Sequence, residues 1–164
     1  MPLPTTQHTP AARALHLVDL ENLAACQHVT IDAAIATAEQ YRTTADRRPG
    51  DLTVVGSSHH NGFAARVAFP EATVRWRSGR DGADLALIDA LDEFDLGRFG
   101  RVVIGSGDGI FADVADRCRR QGVPVTVVAR PTAIAHRLAT VSDAVAPFTT
   151  VAPFDAAAQL GEVA

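Results

Sequence analysis

Short apolar segments alternate along the chain with segments in which apolar residues recur at helical spacing. Apolar runs of this length, rich in Val, Ile and Leu, are typical of buried β-strands. Strands are therefore predicted at residues 14–20, 52–58, 101–107 and 123–129. Residues 72–78 alternate in polarity, which predicts a strand at an edge or with one exposed face, and residues 142–148 predict a short last strand.

Amphipathic segments between these strands predict five helices. They cover residues 31–45, 59–69, 82–94, 109–122 and 131–141. The third is the clearest, because Leu85, Ile88 and Leu91 fall on one stripe. Thr30 is placed to cap the first of these helices, and Gly122 is placed to end the fourth.

Strands that are apolar on both faces and alternate with helices indicate a mostly parallel sheet covered by helices on both sides. With right-handed crossovers, the expected fold is a three-layer α/β/α sandwich with a Rossmann-like sheet of about five strands. This single domain is expected to span residues 14–148. Residues 1–13 are expected to form a flexible N-terminal segment, and residues 149–164 an Ala-rich C-terminal tail.

The composition of the 164 residues is that of an ordinary globular domain, with 47% hydrophobic and 21% charged residues. No apolar run approaches the roughly 20 residues of a membrane-spanning helix, and the N-terminus has no apolar signal core. We therefore expect a cytoplasmic protein without a membrane partner. The two cysteines, Cys26 and Cys118, have no metal-binding spacing, and a structural disulfide is not expected.

The net charge of −4 disfavours a simple basic nucleic-acid-binding domain. An acidic enzyme can still act on nucleic acid, because a bound metal ion supplies local positive charge. The 15 residues counted as Lys or Arg are all Arg, the side chain that binds phosphate in bidentate fashion.

Polar side chains follow the predicted strands at their carboxyl ends, where open parallel sheets bind ligands. Asp19 closes the first strand and Asn22 follows it, while Ser106 and Asp108 lie in the turn after the fourth strand along the chain. Asp84 lies in the first turn of the helix that follows the third strand. The three carboxylates are therefore expected to converge on one edge of the sheet.

Clustered carboxylates repel one another unless a cation or a proton lies between them. Mg²⁺ takes one or two carboxylates together with water and substrate phosphates, so the cluster predicts a metal site for phosphate hydrolysis. Ordinary structural roles are the alternative: Asp108 as a helix cap, Asp84 as a charge favourable to the helix dipole, and Asn22 as a turn former. Asp19 is the hardest to explain in that way, because it ends an apolar strand.

Histidine and arginine side chains lie around the same edge. His59 and His60 follow the second strand and could contact phosphate or transfer a proton, or could be a solvated pair that opens a helix. Arg75, Arg77 and Arg80 lead from the third strand to the acidic residues and could hold a nucleic-acid backbone. The glycine-rich string GSGDG matches neither the dinucleotide-binding nor the P-loop pattern.

Four segments resemble the NYN domain family of the PIN-like nuclease superfamily. VDLENL resembles the family's D-x-x-N opening, and GADLALIDAL resembles its G-x-D-x-x-L stretch. VVIGSGDGIFADVADRCRRQGVPVTVV is similar to its strand–S-G-D–helix–strand block, and ATVSDAVAPF resembles the segment before its last strand. The segments occur in the family's order, and the resemblance covers residues 15–148.

The resemblance implies a PIN-like sandwich and a ribonuclease site that depends on Mg²⁺ or Mn²⁺. Matched position by position, the catalytic residues are Asp19, Asn22, Asp84 and Asp108. The three aspartates among them are the implied metal ligands. The predicted substrate-binding residues are Ser106, Arg80 and His59. The predicted partner is RNA, expected to be single-stranded, and a homodimer is left open.

Two departures from the family pattern concern the same edge. Many members carry a second aspartate where this chain has Ile110, and the usual Lys before G-x-D is absent, with Arg80 and Asp81 nearby. Two functions follow. The retained Asp19 and Asn22 favour a metal-dependent ribonuclease, which is the preferred hypothesis. Ile110 favours a catalytically degenerate NYN domain that binds RNA or another protein.

Overall fold

The computed structural model describes residues 12–150, in which six strands form one all-parallel sheet. The strands are β1 (Ala14–Asp19), β2 (Leu52–Ser57), β3 (Thr73–Trp76), β4 (Arg101–Gly105), β5 (Val125–Ala129) and β6 (Ala144–Pro147). The predicted three-layer α/β/α sandwich with a parallel, Rossmann-like sheet is confirmed. Residues 1–11 and 151–164, which hold most of the predicted N-terminal segment and C-terminal tail, lie outside the described residues.

The strand order across the sheet is β3-β2-β1-β4-β5-β6. The chain starts at the central strand β1 and adds β2 and β3 toward one edge of the sheet. It then returns to the centre, where β4 pairs with β1, and adds β5 and β6 toward the other edge. Ligands of such sheets bind outside the carboxyl ends of the strands at this point of reversal. Asp19 ends β1 and Ser106 directly follows β4, so the fold places two of the predicted site segments side by side.

Helices cover both faces of the sheet. They are α1 (Leu20–Ala24), α2 (Ile31–Thr44), α3 (Gly62–Ala68), α4 (Gly82–Leu91), α5 (Ala112–Arg120) and α6 (His136–Val141). One core layer joins the sheet to α1, α2 and α3, and the other joins it to α4, α5 and α6. No helix within residues 12–150 is long and apolar enough to cross a membrane.

Strand β1 lies in the middle of the molecule and is buried on both faces, as its continuous apolar sequence predicts. Leu15 and Leu17 point into the layer of α4 to α6, while Ala14 and Val18 point into the layer of α1 to α3. Side chains alternate along a strand, so Asp19 lies on the same face as Leu15 and Leu17. The strand therefore directs this carboxylate toward the side of the sheet that α4 covers.

Most element boundaries agree with the sequence within a few residues, and two predictions need correction. The inward face of α4 is formed by Asp84, Leu87 and Leu91, whereas Leu85 and Ile88 are only partly buried. The helix predicted at 131–141 begins only at His136, because the preceding residues form a turn. The Ala135 N–H at the end of this turn donates a hydrogen bond to the Gly107 carbonyl at 2.8 Å. Helix α1 was not predicted from the sequence.

A buried polar network fastens the beginning of β1 to its surroundings. His16 is fully buried and hydrogen-bonds through Nδ1 to the Tyr41 hydroxyl at 2.9 Å and through Nε2 to Asp51 Oδ2 at 3.2 Å. The other Asp51 oxygen accepts the Ala14 N–H at 2.7 Å. Burial lowers the pKa of His16 to about 4, so the imidazole is neutral at physiological pH.

This histidine predicts an acid-sensitive contribution to stability. Its pKa in the folded chain lies below that of the unfolded chain, so the unfolded chain takes up the proton first as the pH falls. The free energy of unfolding is expected to lose up to about 3 kcal/mol from His16 between about pH 6.5 and pH 4. Denaturant unfolding at stepped pH, compared with His16→Gln, measures this contribution. Equal pH dependence in the two proteins would contradict it.

Candidate functional site

A cavity of about 730 Å³ opens at the carboxyl ends of the strands. Six of the seven predicted site residues line it, namely Asp19, Asn22, Asp84, Asp108, Arg80 and His59. The seventh, Ser106, is fully buried behind them. The segments that the sequence placed at one edge of the sheet are therefore brought together around a single cavity.

Asp19 and Asp84 meet because α4 lies unusually close to β2. Asp19 is paired in register with Gly56 of β2, on the face that α4 covers. A Cβ atom at Gly56 would stand 2.6 Å from the Ala83 carbonyl oxygen and 2.7 Å from Leu87 Cγ. Glycine at this position lets the first turn of α4 rest on the sheet backbone, which brings Asp84 beside the end of β1.

Hydrogen bonds hold both oxygens of the Asp19 carboxylate. Oδ1 accepts the Asn22 N–H at 3.1 Å, so Asp19 is the N-cap of α1. Oδ2 accepts the Ser106 hydroxyl at 3.4 Å, and Ser106 Oγ in turn accepts the Asp108 N–H at 3.2 Å. The buried Ser106 therefore orients Asp19 and links it to the turn after β4.

Asp19 and Asp84 are both poorly solvated, 5% and 7% exposed, and each carboxyl group affects the pKa of the other. Burial raises the pKa of Asp19 well above its usual range, and the charge of Asp84 raises it further. Burial also raises the pKa of Asp84 to about 6; the neighbouring Asp19 carboxyl lowers it, and the charge of Asp108 raises it. Because the pKa values of both carboxyl groups are raised, ionising the pair costs free energy in the folded chain.

Asn22 and Asp108 line the cavity and also make structural hydrogen bonds. Asn22 Oδ1 accepts the Gly107 N–H at 3.0 Å, which ties α1 to the turn after β4. Asp108 is exposed at the cavity wall, and its Oδ1 accepts the Ile110 N–H at 2.9 Å as the cap of a short 3₁₀ turn. Ile110 itself packs against the core layer of α4 to α6 and does not line the cavity.

Two polar residues that support one wall of the cavity, Glu21 and Asn61, were not predicted from the sequence. Glu21 lies in VDLENL, and its Oε1 accepts the Ser58 N–H at 2.7 Å and Asn61 Nδ2–H at 2.6 Å. Asn61 follows the two histidines and also bonds the segment before α2, donating to the Gln27 carbonyl at 2.8 Å. The pair fastens α1 to the turn after β2 and so stiffens one wall of the cavity.

The rim of the cavity carries flat and cationic side chains. His59 and His60 lie with ring centroids 3.8 Å apart, and His28 lies 6.1 Å from His60. Arg80 is almost fully exposed, and Arg130, also missed in the sequence, donates through Nε to the Asn22 carbonyl at 3.2 Å. Of the predicted arginine group, Arg75 lies outside this cavity.

One buried acceptor atom of the site has no hydrogen-bond donor among the described residues. Asp84 Oδ1 is buried, and no N–H or hydroxyl group within residues 12–150 donates to it. The same residues contain no set of three His, Cys, Asp or Glu side chains already arranged to hold a metal ion. Mg²⁺ needs only one or two carboxylates and keeps several waters, so the chemistry of the Asp19 and Asp84 carboxyl groups suits such an ion.

Comparisons with known proteins identify the family and the fold of the chain. The model of the NYN domain family matches residues 13–148. Among solved structures, the chain is similar to a protein of unknown function from Vibrio parahaemolyticus, with a TM-score of 0.58 and 19% sequence identity. That likeness covers 87% of this chain and 96% of the other, and it shows a shared fold. Among curated proteins, none matches the chain.

Proposed function

The chain belongs to the NYN domain family, whose members are generally PIN-like nucleases, and on this premise we propose that it is a metal-dependent ribonuclease. The observation that carries the proposal is the buried pair of Asp19 and Asp84, in which Asp84 Oδ1 has no hydrogen-bond donor among the described residues. Carboxylates that are desolvated and face each other in an open cavity suit a divalent cation, Mg²⁺ or Mn²⁺.

In this proposal, each acidic residue has a distinct task. Asp19 and Asp84 hold the ion, and Ser106 and the Asn22 N–H keep Asp19 in the orientation that ligation requires. Asp108 remains on the exposed wall, where it contacts the ion through water. When bound, the ion lowers the pKa of a nucleophilic water and neutralises charge that develops on the phosphate. Ser106 thus supports the site instead of touching the substrate.

The rim residues supply substrate contacts. Arg80 can exchange its ion pair with Asp81 for a phosphate at small cost, because that pair is long, at 3.9 Å, and exposed to solvent. His59 is held by Ser78, whose hydroxyl is 2.8 Å from its Nδ1, so the ring has a fixed position beside the cavity. Arginine and histidine at the rim attract the backbone of a single-stranded RNA toward an otherwise acidic site.

A second candidate function rests on Ile110. Compared with the family pattern, the turn after β4 has one negative charge fewer, and the partly buried Ile110 packs against the core layer of α4 to α6. A domain with a weakened ion site could bind RNA or a partner protein without cleaving anything. A cytoplasmic location and a homodimer also stay predictions.

The experiment that separates the two functions restores the family pattern. Wild type is expected to cleave single-stranded RNA slowly and faster with Mn²⁺ than with Mg²⁺, because Mn²⁺ binds such ligands more tightly. Ile110→Asp places a carboxylate on the short turn that Asp108 caps, beside the cavity, and is expected to raise the cleavage rate at a stability cost on the order of 1 kcal/mol for lost packing. Asp108→Asn keeps an oxygen for the Ile110 N–H and is expected to abolish cleavage in both backgrounds.

Ile110→Asn is the matched control, because it changes size and polarity without adding charge. No cleavage by wild type in Mn²⁺, together with none by Ile110→Asp, would overturn the ribonuclease function. RNA binding that persists in EDTA would then support the binding domain.

A further inference from the structure

Large apolar side chains are exposed mainly on one surface of the domain. Six are exposed within residues 12–150, and five of them lie on α2, α3 or β3. They are Ile31, Ile35, Phe63, Val67 and Trp76, with exposed fractions from 36% to 71%. The sixth, Val145, lies on β6 at the edge of the sheet opposite β3. Exposed apolar side chains grouped in this way are typical of a surface that binds another protein chain.

Helices α2 and α3 lie side by side and run in the same direction. The segments that precede them are joined, because the Val29 N–H donates to Asn61 Oδ1 at 3.0 Å. Further along both helices, Arg42 Nη2 donates to the Ala68 carbonyl at 2.8 Å. Both helices pack on the same side of the sheet. Their outward surfaces therefore form one continuous face.

Four of the exposed apolar side chains lie where the two helices meet. Ile31 and Ile35 share one stripe of α2 with Arg42, the residue that contacts α3, because residues four or seven positions apart lie on the same side of a helix. Phe63 and Val67 lie four residues apart on the outward side of α3, whose inward side carries buried alanines. We call these four side chains the α2–α3 patch.

Exposed charges of opposite sign flank the patch. Asp32 and Glu39 are seven residues apart and share the outward side of α2. Arg66 lies four residues after Gly62, which faces Trp76 of β3, so this arginine is on the side of α3 away from α2. None of the three charged side chains forms an ion pair within the part of the chain that the structure describes. The surface therefore carries negative charge along α2 and positive charge along α3.

Such a surface is complementary to a second copy of itself. A two-fold axis parallel to the helices places α2 of one copy against α3 of the other, so Arg66 of each copy faces Asp32 and Glu39 of the partner subunit. An axis perpendicular to the helices would instead place α2 against α2 and bring like charges together. In the first arrangement the apolar side chains meet between two rows of charges, as the apolar core and polar rim of an interface do.

We propose that the α2–α3 patch is the interface of a homodimer in which α2 of each copy packs against α3 of the other. The proposal is independent of the ribonuclease function, because this face lies on the side of the sheet opposite the one that α4 covers. His28 precedes α2 and His59 precedes α3, and both line the candidate cavity. The two helices therefore begin at the cavity, and an axis parallel to them sets both cavities at the same end of the dimer.

Sedimentation velocity of the full chain, from about 1 μM to about 1 mM, tests the dimer. A reversible equilibrium between monomer and dimer is expected. Phe63→Asp is expected to weaken the association at least about tenfold, because it places a charge within the apolar part of the interface. Val145→Asp is the matched control, since Val145 is 45% exposed on β6, outside the patch, and this variant is expected to associate like wild type.

A full chain that sediments as a monomer over this whole range would overturn the proposal. The patch would then be left to residues 151–164 or to a different protein. A dimer that Phe63→Asp and Val145→Asp leave equally intact would also overturn it, because the two copies would then meet through another surface.

Charge reversal tests the pairing of α2 with α3. Arg66→Glu is expected to weaken the association about tenfold, because it brings like charges together. Adding Asp32→Arg and Glu39→Arg to that variant reverses both flanks and is expected to restore most of the association. Arg98→Glu is the control, since Arg98 is exposed in the turn before β4, away from the patch. Equal weakening by Arg66→Glu and Arg98→Glu, or no recovery in the combined variant, would overturn the proposal.

Discussion

Replacing Asp84 with Asn is expected to lower the rate of Mn²⁺-dependent RNA cleavage by about 10³-fold, equivalent to about 4 kcal/mol of transition-state stabilisation. Asn has nearly the same shape, but it lacks the charge that holds the ion together with Asp19. The same substitution is expected to make the metal-free protein more stable at about pH 8, because it removes one of two buried charges that repel each other. Loss of activity with a gain in stability is the signature of a ligand.

The raised pKa of Asp84 determines how Asp84→Asn changes the free energy of unfolding at each pH. The pKa of Asp84 in the folded chain is raised to about 6, above that of the unfolded chain, so ionisation penalises the folded state as the pH rises. Asp84→Asn should therefore gain about 1 to 3 kcal/mol at about pH 8, and the gain should shrink toward about pH 4, where the carboxyl is neutral. Denaturant unfolding at the two pH values measures the difference.

Added Mn²⁺ should stabilise wild type by mass action and leave Asp84→Asn unchanged. Asp92→Asn is the matched control, because it removes an exposed carboxylate at the other end of α4. An Asp84→Asn protein that cleaves RNA and responds to Mn²⁺ like wild type would contradict the assignment of this residue.

Replacing Gly56 with Ala is expected to damage the site without changing any of its polar side chains. The new Cβ would collide with the Ala83 carbonyl at 2.6 Å and with Leu87, so α4 must move away from β2. Overpacking of this kind costs about 1 to 3 kcal/mol of stability. The same movement withdraws Asp84 from Asp19, so the rate of RNA cleavage and the Mn²⁺ response are expected to fall as well.

Gly62→Ala is the control for this experiment, because a Cβ at Gly62 would meet Trp76 at an ordinary contact distance. It is expected to fold, bind Mn²⁺ and cleave RNA much like wild type. If Gly56→Ala instead retains wild-type stability and cleavage, the close approach of α4 to β2 does not set the geometry of the site.

The sequence predicts the fold well because its strongest signals are local. Segments such as 14–20 and 52–58 are apolar on both faces, and only a covered parallel sheet buries both faces of a strand. The sequence also predicts which way the Asp19 carboxylate points. Residues two positions apart in a strand lie on the same face of the sheet, so Asp19 shares the face of Leu15 and Leu17. The predicted residues therefore converge on one cavity.

The remaining features of the site depend on contacts between distant segments. Nothing local shows that Gly56 is the place where α4 approaches the sheet, or that Glu21 reaches Asn61, 40 residues away. Ser106 was predicted to bind substrate from its position in the S-G-D turn, and the structure buries it behind Asp19. The spacing of residues along the chain does not show how deeply a side chain such as that of Ser106 is buried.

The most direct test of the proposed ion site is an anomalous scattering measurement on crystals soaked in Mn²⁺. The expected result is a manganese peak between the carboxylates of Asp19 and Asp84, with Asp108 joined to it through water, and no peak there in Asp84→Asn crystals. A wild-type map with no peak between Asp19 and Asp84, from crystals that bind Mn²⁺ elsewhere, would contradict a metal-dependent ribonuclease site in this protein.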